Sequence, residues 1–184
     1  MKMNISKRGG IYIEDRHKIK KVRLDDRDYP KAIGAMIGVC ADAIIIDPEK
    51  KIFFLPRRVV KPMKGYWSIG GRRFPGDSAA ASVAKNFMRE TGVKAPRGRF
   101  RLISTIEVIW KDRKESPVNI GKHDIIQFFA IKLDKKELAH ASANLCKTEY
   151  AAGSLEAFDR KKMVSKQLHP ALIDIYDKVF PRGR

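Results

Sequence analysis

A pair of adjacent glycines, followed by a segment with helical spacing, is the pattern in this chain best suited to chemistry. Gly70 and Gly71 let the backbone come close to a phosphate or present a carbonyl oxygen to a metal. Asn86 and Glu90 are four residues apart, which places them on one face of a helix. A carboxylate there can hold Mg²⁺, which takes oxygen ligands and bridges to substrate phosphates. One glutamate is not a metal site, so the pattern by itself also fits a capped surface helix after a tight turn.

The spacing around this pattern is more specific than its parts. Five residues separate Gly71 from Asp77, seven more separate Asp77 from Lys85, and the segment "NFMRETGV" follows. This frame resembles the Nudix box, which reads Gly, five residues, Glu, seven residues, then Arg-Glu-apolar-any-Glu-Glu-any-Gly-apolar. The positions that agree with the box are Gly71, Phe87, Glu90, Gly92 and Val93, while Asp77 and Lys85 are conservative replacements. The resemblance implies a Nudix fold, which is an α/β protein of the α+β sandwich type with a mixed β-sheet between helices.

Two positions depart from the box. Asn86 and Arg89 stand where the family normally has carboxylates that bind metal or act as a base. A similarly depleted box belongs to one branch, the GDP-mannose mannosyl hydrolases, which keep the last glutamate, here Glu90. That branch cleaves the C–O bond at the anomeric carbon and releases GDP and a free sugar of inverted configuration. The resemblance therefore implies a hydrolase of nucleotide sugars.

Segments outside the box also resemble this branch, over roughly residues 24 to 180. "CADAIIID" is similar to its first strand with an internal aspartate, here Asp42, and "PRRVVKPMKGYW" is similar to its arginine and Gly-Tyr-Trp segment. Arg72 follows the glycine pair as an arginine does there, and "GKHDIIQFF" is similar to the segment with the catalytic histidine, here His123. This interpretation requires Asp42, Arg72, Glu90 and His123 to converge in one cleft.

The resemblance implies a role for each of these side chains. His123 would take a proton from the attacking water, since an imidazole titrates close to neutral pH. Asp42 would stabilise positive charge on the sugar ring, and its position in an apolar strand supports a functional role because a buried carboxylate is costly. Arg72, together with Arg57 or Arg58, would contact the diphosphate. The choice between the last two arginines is left open by the alignment.

The resemblance also implies which residues bind the metal and which contact the base or the sugar. Glu90 and the backbone carbonyl of one of the two glycines would hold Mg²⁺ as the cofactor. Tyr66 and Trp67 would line a base or sugar pocket, although aromatic residues near a core edge usually serve packing. Lys122 takes the place of a residue that helps to bind the metal in this branch, and a charged lysine has no lone pair. A weakly bound or absent metal is therefore the alternative.

The charge balance is strongly basic and favours anionic partners. There are 39 Lys and Arg against 21 Asp and Glu, which gives a net charge of +18, and such a surface attracts nucleotides and nucleic acid. The two cysteines, Cys40 and Cys146, form no CxxC pattern, which fits a reducing cytoplasm. No apolar run approaches the roughly 20 residues that span a bilayer, so we expect no membrane partner. A homodimer is left open, because the branch that the chain resembles is dimeric.

A small set of elements must position the chemical residues. Residues 1–24 are interpreted as a basic arm in strand or extended form, and residues 25–184 as the Nudix domain. We predict a short helix in "DDRDYPKAIGAM", a buried strand in "IGVCADAIIID" and a hairpin partner in "KIFFLPRRVV". "KPMKGYWSIGG" is predicted as a loop, and "AAASVAKNFMRET" as a helix capped by Asp77 or Ser78 and ended by Gly92. Further strands are predicted in "FRLISTIEVIWKD" and "DIIQFFAIKL", and C-terminal helices in "SLEAFDRKKM" and "HPALIDIYDKVF".

Three functions stay open on the sequence. The first is hydrolysis of a nucleotide sugar at the C–O bond. The second is a pyrophosphohydrolase that cuts a nucleoside diphosphate derivative at phosphorus. The third is a catalytically silent nucleotide- or RNA-binding protein on the same scaffold, favoured by the missing carboxylates at Asn86 and Arg89 and by the net charge of +18. Salt-sensitive RNA binding without turnover would be typical of the third.

Overall fold

The N-terminal part of the chain forms a hairpin and a short helix. The structure is a computed structural model and describes residues 5–8, 11–14, 18–20, 22 and 24–181. Strands β1 (Ile5–Arg8) and β2 (Ile11–Glu14) pair antiparallel within the predicted arm. The parts of that arm that fall between these ranges lie outside the described residues. Helix α1 (Asp28–Ala35) confirms the predicted short helix.

A six-stranded mixed sheet forms the centre of the domain. The remaining elements in chain order are β3 (Gly38–Asp47), β4 (Ile52–Leu55), β5 (Arg57–Arg58), β6 (Gly65–Tyr66), β7 (Ile69–Arg72), α2 (Ala79–Thr91), a 3-10 turn (Arg97–Arg99), β8 (Arg101–Trp110), β9 (Lys122–Ile131), α3 (Lys135–Ala143), β10 (Glu156–Phe158), α4 (Arg160–Ser165) and α5 (Pro170–Val179). The strand order is β10-β4-β3-β9-β8, and β7 pairs with β3 next to β4. β3 and β9 run parallel, and the other pairs of this sheet are antiparallel.

Helices cover both faces of the sheet because β3 is apolar on both. Ala41, Ala43 and Ile45 on one face belong to a buried cluster with Val83 and Phe87 of α2. The alternate residues of β3 face a second buried cluster, which includes Ile44, Trp67, Phe128, Leu172 and Ile175. A strand buried on both sides is typical of a sheet between helices. The predicted fold class, an α+β sandwich with a mixed sheet between helices, is confirmed.

Helix α2 begins and ends where its local sequence predicts. The hydroxyl of Ser78 accepts a hydrogen bond from the N–H of Ala81 at 3.2 Å, which selects Ser78 over Asp77 as the cap. Gly92 has a φ of 72°, and its N–H donates to the carbonyl of Met88. This left-handed conformation favours glycine after a helix.

Some predictions of local structure are wrong. Residues 61–71, predicted as a loop, contain β6 and β7, because β7 finds its partners on the distant β3. Residues 154–163, predicted as a helix, contain β10 and only part of α4, because β10 pairs with β4. The strand β9 begins at Lys122, two residues before the predicted start, and α3 is not predicted at all. No helix among the described residues is long and apolar enough to cross a membrane.

Candidate active site

A cleft of about 200 Å³ opens where β3, β5, β7, β9 and the end of α2 come together. Its charged lining residues are the carboxylates Asp42, Glu90, Glu115, Asp124 and Glu149 and the cations Arg58, Lys61, Arg89, Lys114 and Lys122. A larger cavity of about 910 Å³ lies between the β1–β2 hairpin and α2, but none of the predicted site residues lines it. The smaller cleft is the candidate site, because groups of opposite charge from distant parts of the chain converge there.

Asp42 is a cleft residue with one buried carboxylate oxygen that has no hydrogen-bond partner among the described residues. It lies in β3 with 6% of its surface exposed, and its Oδ2 accepts a hydrogen bond from the Ser68 hydroxyl at 2.7 Å. Its Oδ1 is buried and has no hydrogen-bond partner in the described part of the chain. Burial raises the pKa of Asp42 to about 6, while the Ser68 hydrogen bond and the charge of Arg58 oppose the rise. The cleft therefore contains a proton acceptor that titrates close to neutral pH.

Gly70 makes room for this carboxylate. It pairs with Asp42 in the β3–β7 ladder. A Cβ on Gly70 would lie 2.5 Å from both Oδ1 and Cα of Asp42, and 2.6 Å from the carbonyl oxygen of Ala41. These distances are too short for any side chain, so the first glycine of the predicted pair allows the close approach of two backbones.

Glu90 lies at the buried end of α2 with both carboxylate oxygens engaged. Oε1 accepts a hydrogen bond from Nη2 of Arg89 at 2.5 Å, and Oε2 accepts one from the Tyr150 hydroxyl. Burial raises the pKa of Glu90, and the hydrogen bonds from Tyr150 and Arg89 oppose that rise. Burial and the nearby Glu90 raise the pKa of Tyr150 well above its ordinary value, so the phenol stays protonated as the donor.

The predicted Mg²⁺ ligands do not fit a metal in this arrangement. The carbonyl oxygen of Gly71 accepts a hydrogen bond from Nδ2 of Asn86 at 2.9 Å, and both oxygens of Glu90 already have partners. Across the ranges that the structure describes, no group of three or more His, Cys, Asp or Glu side chains could hold a metal ion. Mg²⁺ demands oxygen ligands in near-octahedral geometry, so its binding would require these internal contacts to break.

The structure distinguishes Arg57 from Arg58, the two alternatives for contact with the diphosphate. Arg58 lines the cleft, and its Nη2 donates to Oε2 of Glu149 at 2.9 Å. Its Nε is buried and has no hydrogen-bond partner among the residues described. Arg57 is exposed and does not line the cleft. Neighbouring residues of a strand point to opposite sides, so Arg58 is the one available to an anion in the cleft.

Lys122 and Asp124 lie on the cleft side of β9. Oδ2 of Asp124 is 2.8 Å from Nζ of Lys122 and also accepts a hydrogen bond from the indole N–H of Trp110 at 2.8 Å. A Cβ on Gly38 would lie 2.4 Å from Oδ1 of Asp124, so β3 needs a glycine there. Asp124 was not among the site residues predicted from the sequence, although charged residues at alternate positions of a strand indicate a shared face.

His123 lies on the opposite face of β9. Its Nε2 is 3.4 Å from Oε2 of Glu107 on β8, and the side chain does not line the cleft. The structure therefore contradicts the predicted convergence of four residues, since only Asp42 and Glu90 of that set line the cleft. The physical reason is the alternation of side chains along β9, which sends Lys122 into the cleft and His123 away from it.

Arg72 contacts α1 and is not a lining residue of the cleft. It pairs with Cys40 in the β3–β7 ladder and so shares the sheet face of Asp42. Its guanidinium carbon lies 4.2 Å from the centre of the Tyr29 ring, a stacked cation–π contact with α1. Arg72 therefore fastens α1 to the sheet and does not line the cleft.

The two predicted aromatic site residues are packing residues in this fold. The Tyr66 hydroxyl donates to a carboxylate oxygen of Glu156, and the tyrosine does not line the cleft. Trp67 forms part of the cleft wall, but it is only 2% exposed. It packs edge-on against Trp110 with ring centres 5.5 Å apart. The Tyr66 ring packs against Phe158 with ring centres 4.7 Å apart, so both rings contribute to packing.

Glu149 and Tyr150, like Asp124, were not among the site residues predicted from the sequence. Glu149 binds Arg58, and Tyr150 binds Glu90 across 60 positions of the chain. Their segment "KTEYAAG" has no spacing that indicates chemistry. Their importance comes from tertiary contacts alone.

Solved structures of Nudix hydrolases share this architecture. A MutT Nudix hydrolase from Burkholderia pseudomallei is similar with a TM-score of 0.58 and 16% identity, over 78% of this chain and 98% of that chain. The MutT protein from Methanosarcina mazei Go1 is similar with a TM-score of 0.53 and 17% identity, over 78% and 92% of the two chains. The chain has the Nudix fold. A UDP-X diphosphatase with a TM-score of 0.51 and 19% identity covers 88% of this chain and 74% of its own. No protein-family model and no curated protein matches the sequence.

On this Nudix fold, α2 and the strand before it carry the segment that resembles the box. Nζ of Lys85 lies 2.7 Å from Oδ2 of Asp77, so these two conservative replacements form an ion pair at the start of the segment. Glu90, near the end of the segment, lines the cleft. Asn86 donates a hydrogen bond to the carbonyl oxygen of Gly71. The polar side chains of this segment therefore bind one another or the glycine backbone.

Proposed function

We propose that this protein hydrolyses a nucleoside diphosphate derivative in the cleft lined by Asp42, and that a nucleotide sugar is the substrate class. The observation that carries the proposal is the buried carboxylate of Asp42, with Oδ2 held by Ser68 and Oδ1 unpartnered among the residues described. A buried oxygen without a partner is costly, and a water or substrate group that donates to it would remove that cost. Arg58, Arg89 and Lys122 in the same cleft supply positive charge for a diphosphate.

In this proposal Asp42 takes the proton of the attacking water. For cleavage at the sugar, the water oxygen attacks the anomeric carbon, its proton passes to Oδ1 of Asp42, and the electron pair of the C–O bond leaves with the nucleoside diphosphate. Ser68 keeps the carboxylate oriented. Because the pKa of Asp42 is about 6, the group is ionised at neutral pH and still basic enough to act. His123 has no part, since it lies on the other face of β9.

The proposed hydrolysis has two alternative cleavage sites, the C–O bond at the sugar and a P–O bond of the diphosphate. The C–O bond is the first to test, because Asp42, Glu90 and the depleted box resemble the GDP-mannose mannosyl hydrolases. Cleavage at phosphorus is the alternative, and the UDP-X diphosphatase with the same fold, which its name calls a diphosphatase, supports it. The two reactions differ in the atom that receives the water oxygen.

Hydrolysis in water enriched in oxygen-18 tests both the function and the bond. GDP-mannose and a panel of other nucleotide sugars are incubated with wild-type protein, and the products are analysed by mass spectrometry. Label in the free sugar identifies C–O cleavage, and label in a phosphate identifies attack at phosphorus. We expect Asp42→Asn to abolish turnover, and Arg97→Gln, an exposed arginine outside the cleft, to leave it unchanged. Turnover that survives Asp42→Asn would remove the proposed base.

Binding without turnover is the second candidate, and a specific observation favours it. Glu90, Asp124 and Glu149 are each paired with a cation inside the cleft. Together with the net charge of +18, this favours a nucleotide or RNA ligand. Single-stranded RNA binding that weakens steeply with salt, in a protein that turns over none of the nucleotide sugars, would support this candidate. A homodimer and a cytoplasmic location stay predictions.

A further inference from the structure

Arg89 occupies the part of the cleft where the box resemblance implies a metal. Its Nη2 lies 2.5 Å from Oε1 of Glu90, and 3.2 Å from the position that a Cβ on Gly71 would take. The guanidinium therefore extends from the buried carboxylate to the glycine backbone. Asn86 holds the carbonyl of Gly71 from the same helix. The carboxylate and carbonyl that would ligate Mg²⁺ thus bind a guanidinium and an amide instead.

The guanidinium of Arg89 is also accessible to a ligand. Its side chain is 52% exposed, whereas that of Glu90 is 3% exposed. The hydrogen bond to Glu90 uses one of the five N–H donors that a guanidinium carries. A planar guanidinium can bind a phosphate group through two parallel N–H donors, which gives it geometric specificity for such anions. Arg89 can therefore hold Glu90 with one N–H group and offer its remaining donors to an oxyanion.

Two further groups of the cleft complete an anion site. The buried Nε of Arg58 has no hydrogen-bond partner in the described ranges and lines the same cleft. Lys122 of β9 also lines the cleft, and its ammonium lies 2.8 Å from Oδ2 of Asp124. All three cations line one cleft, and a diphosphate carries several oxygen atoms that can accept hydrogen bonds from arginine and lysine donors.

We propose that Arg89 takes the place of a divalent cation in this cleft, and that the protein binds a diphosphate group without metal. For the class of ligand, the inference rests on the proposed function. Nudix hydrolases generally use divalent metals such as Mg²⁺, but in this chain a fixed cation already neutralises Glu90. A divalent ion at this position would be repelled by Arg89 and would have to displace it from the carboxylate.

Two binding measurements test the inference independently of turnover. The first is calorimetric titration of the full-length protein with inorganic pyrophosphate in EDTA and then in Mg²⁺. The second is titration with Mn²⁺, followed by the electron paramagnetic resonance signal of the free ion. Both are run on wild type, Arg89→Gln, Arg89→Glu and the matched control Arg97→Gln, which removes an exposed arginine elsewhere. Circular dichroism establishes that each variant is folded.

The expected results are specific to each variant. Wild type and Arg97→Gln should bind pyrophosphate in EDTA and should leave the Mn²⁺ signal unchanged at millimolar concentration. Arg89→Gln should weaken pyrophosphate binding at least tenfold. Arg89→Glu, which sets a second carboxylate beside Glu90, should lose pyrophosphate binding in EDTA and should gain Mn²⁺ binding.

Other outcomes would overturn the inference. Mn²⁺ binding by the wild type that disappears in Glu90→Gln would show that Glu90 is a metal ligand. Pyrophosphate binding that requires Mg²⁺, or that is unchanged in Arg89→Gln, would remove the role of Arg89. No pyrophosphate binding under any condition would overturn the inference together with its ligand class. Metal-free pyrophosphate binding in a protein without turnover would overturn only the proposed hydrolysis.

Discussion

The hydroxyl of Ser68 donates a hydrogen bond to Oδ2 of Asp42 at 2.7 Å, and the opposite oxygen of that carboxylate has no partner among the described residues. The Ser68 bond favours the ionised form and thereby lowers the pKa of Asp42 against the effect of burial. One side chain thus both orients the carboxylate and keeps it available as a base.

Removal of that hydroxyl should move the pH dependence of turnover. In Ser68→Ala the pKa of Asp42 should rise further, because a hydrogen bond to a charged group contributes about 1.5–3 kcal/mol. The acidic limb of kcat/KM against pH should therefore move upward by about one to two pH units. Ser68→Thr keeps the hydroxyl and should retain the wild-type profile. An unshifted limb in Ser68→Ala would show that another group controls it.

The charge of Asp42 should lower stability at neutral pH. The pKa rises from 3.8 to about 6 on folding, so the folded protein binds this proton more tightly than the unfolded chain. The resulting stabilisation is complete below the lower pKa and is lost as the pH rises through the upper one. Asp42→Asn should then raise the free energy of unfolding by about 3 kcal/mol at about pH 8, and change it little at about pH 4.

Urea denaturation of wild type and Asp42→Asn at about pH 4 and about pH 8 measures this pH-dependent difference in the free energy of unfolding. The variant should gain stability at the higher pH while it loses hydrolytic activity, a pairing that a purely structural aspartate would not produce. Equal stability of the two proteins at both pH values would contradict the raised pKa of Asp42.

Gly70 should tolerate no side chain. In Gly70→Ala the new Cβ would meet Asp42 and the carbonyl of Ala41 at 2.5–2.6 Å, and most of these atoms belong to backbone that cannot move aside. We expect a loss of about 1–3 kcal/mol in stability, or more, together with lost activity. Gly98→Ala is the matched control, because a Cβ there would meet nothing within 4 Å. Thermal unfolding of the two variants measures the difference, and similar losses in both would refute the close approach of β7 to β3.

Arg113 should stabilise the loop of residues 114–117, which includes the cleft residue Lys114. Its guanidinium is buried, with 1% of the residue exposed, and donates to the carbonyl of Pro30 in α1 and to the carbonyls of residues 115–117 at 3.0–3.1 Å. Arg113→Ala leaves these acceptors without donors, so we expect a loss of about 2–4 kcal/mol. Limited proteolysis should then cut this loop faster, whereas Arg97→Ala should behave like wild type. Unchanged cleavage in Arg113→Ala would mean that the loop is held by other contacts.

Elements whose stabilising contacts lie close together in the chain could be predicted from the amino-acid sequence. Helix α2 has its cap at Ser78 and its stop at Gly92, and both act within a few residues of the helix. The apolar run of β3 predicts a buried strand wherever it pairs, and the spacing from Gly71 to Val93 indicated the Nudix frame. For α2 the physical cause is local hydrogen bonding at its two ends, and for β3 it is the burial of adjacent apolar side chains.

The tertiary structure alone decided which side chains meet. The register of β9 against β3 and β8 sends Lys122 into the cleft and His123 away from it, and the pairing of β5 separates Arg58 from Arg57. Tyr150 reaches Glu90 across 60 positions with no pattern in the sequence to indicate it. Strand pairing and long-range packing are set by partners elsewhere in the chain. A shift of one residue in the pairing register of a strand reverses the sheet face that a side chain occupies. The spacing of the box-like segment therefore does not predict which side chains line the cleft.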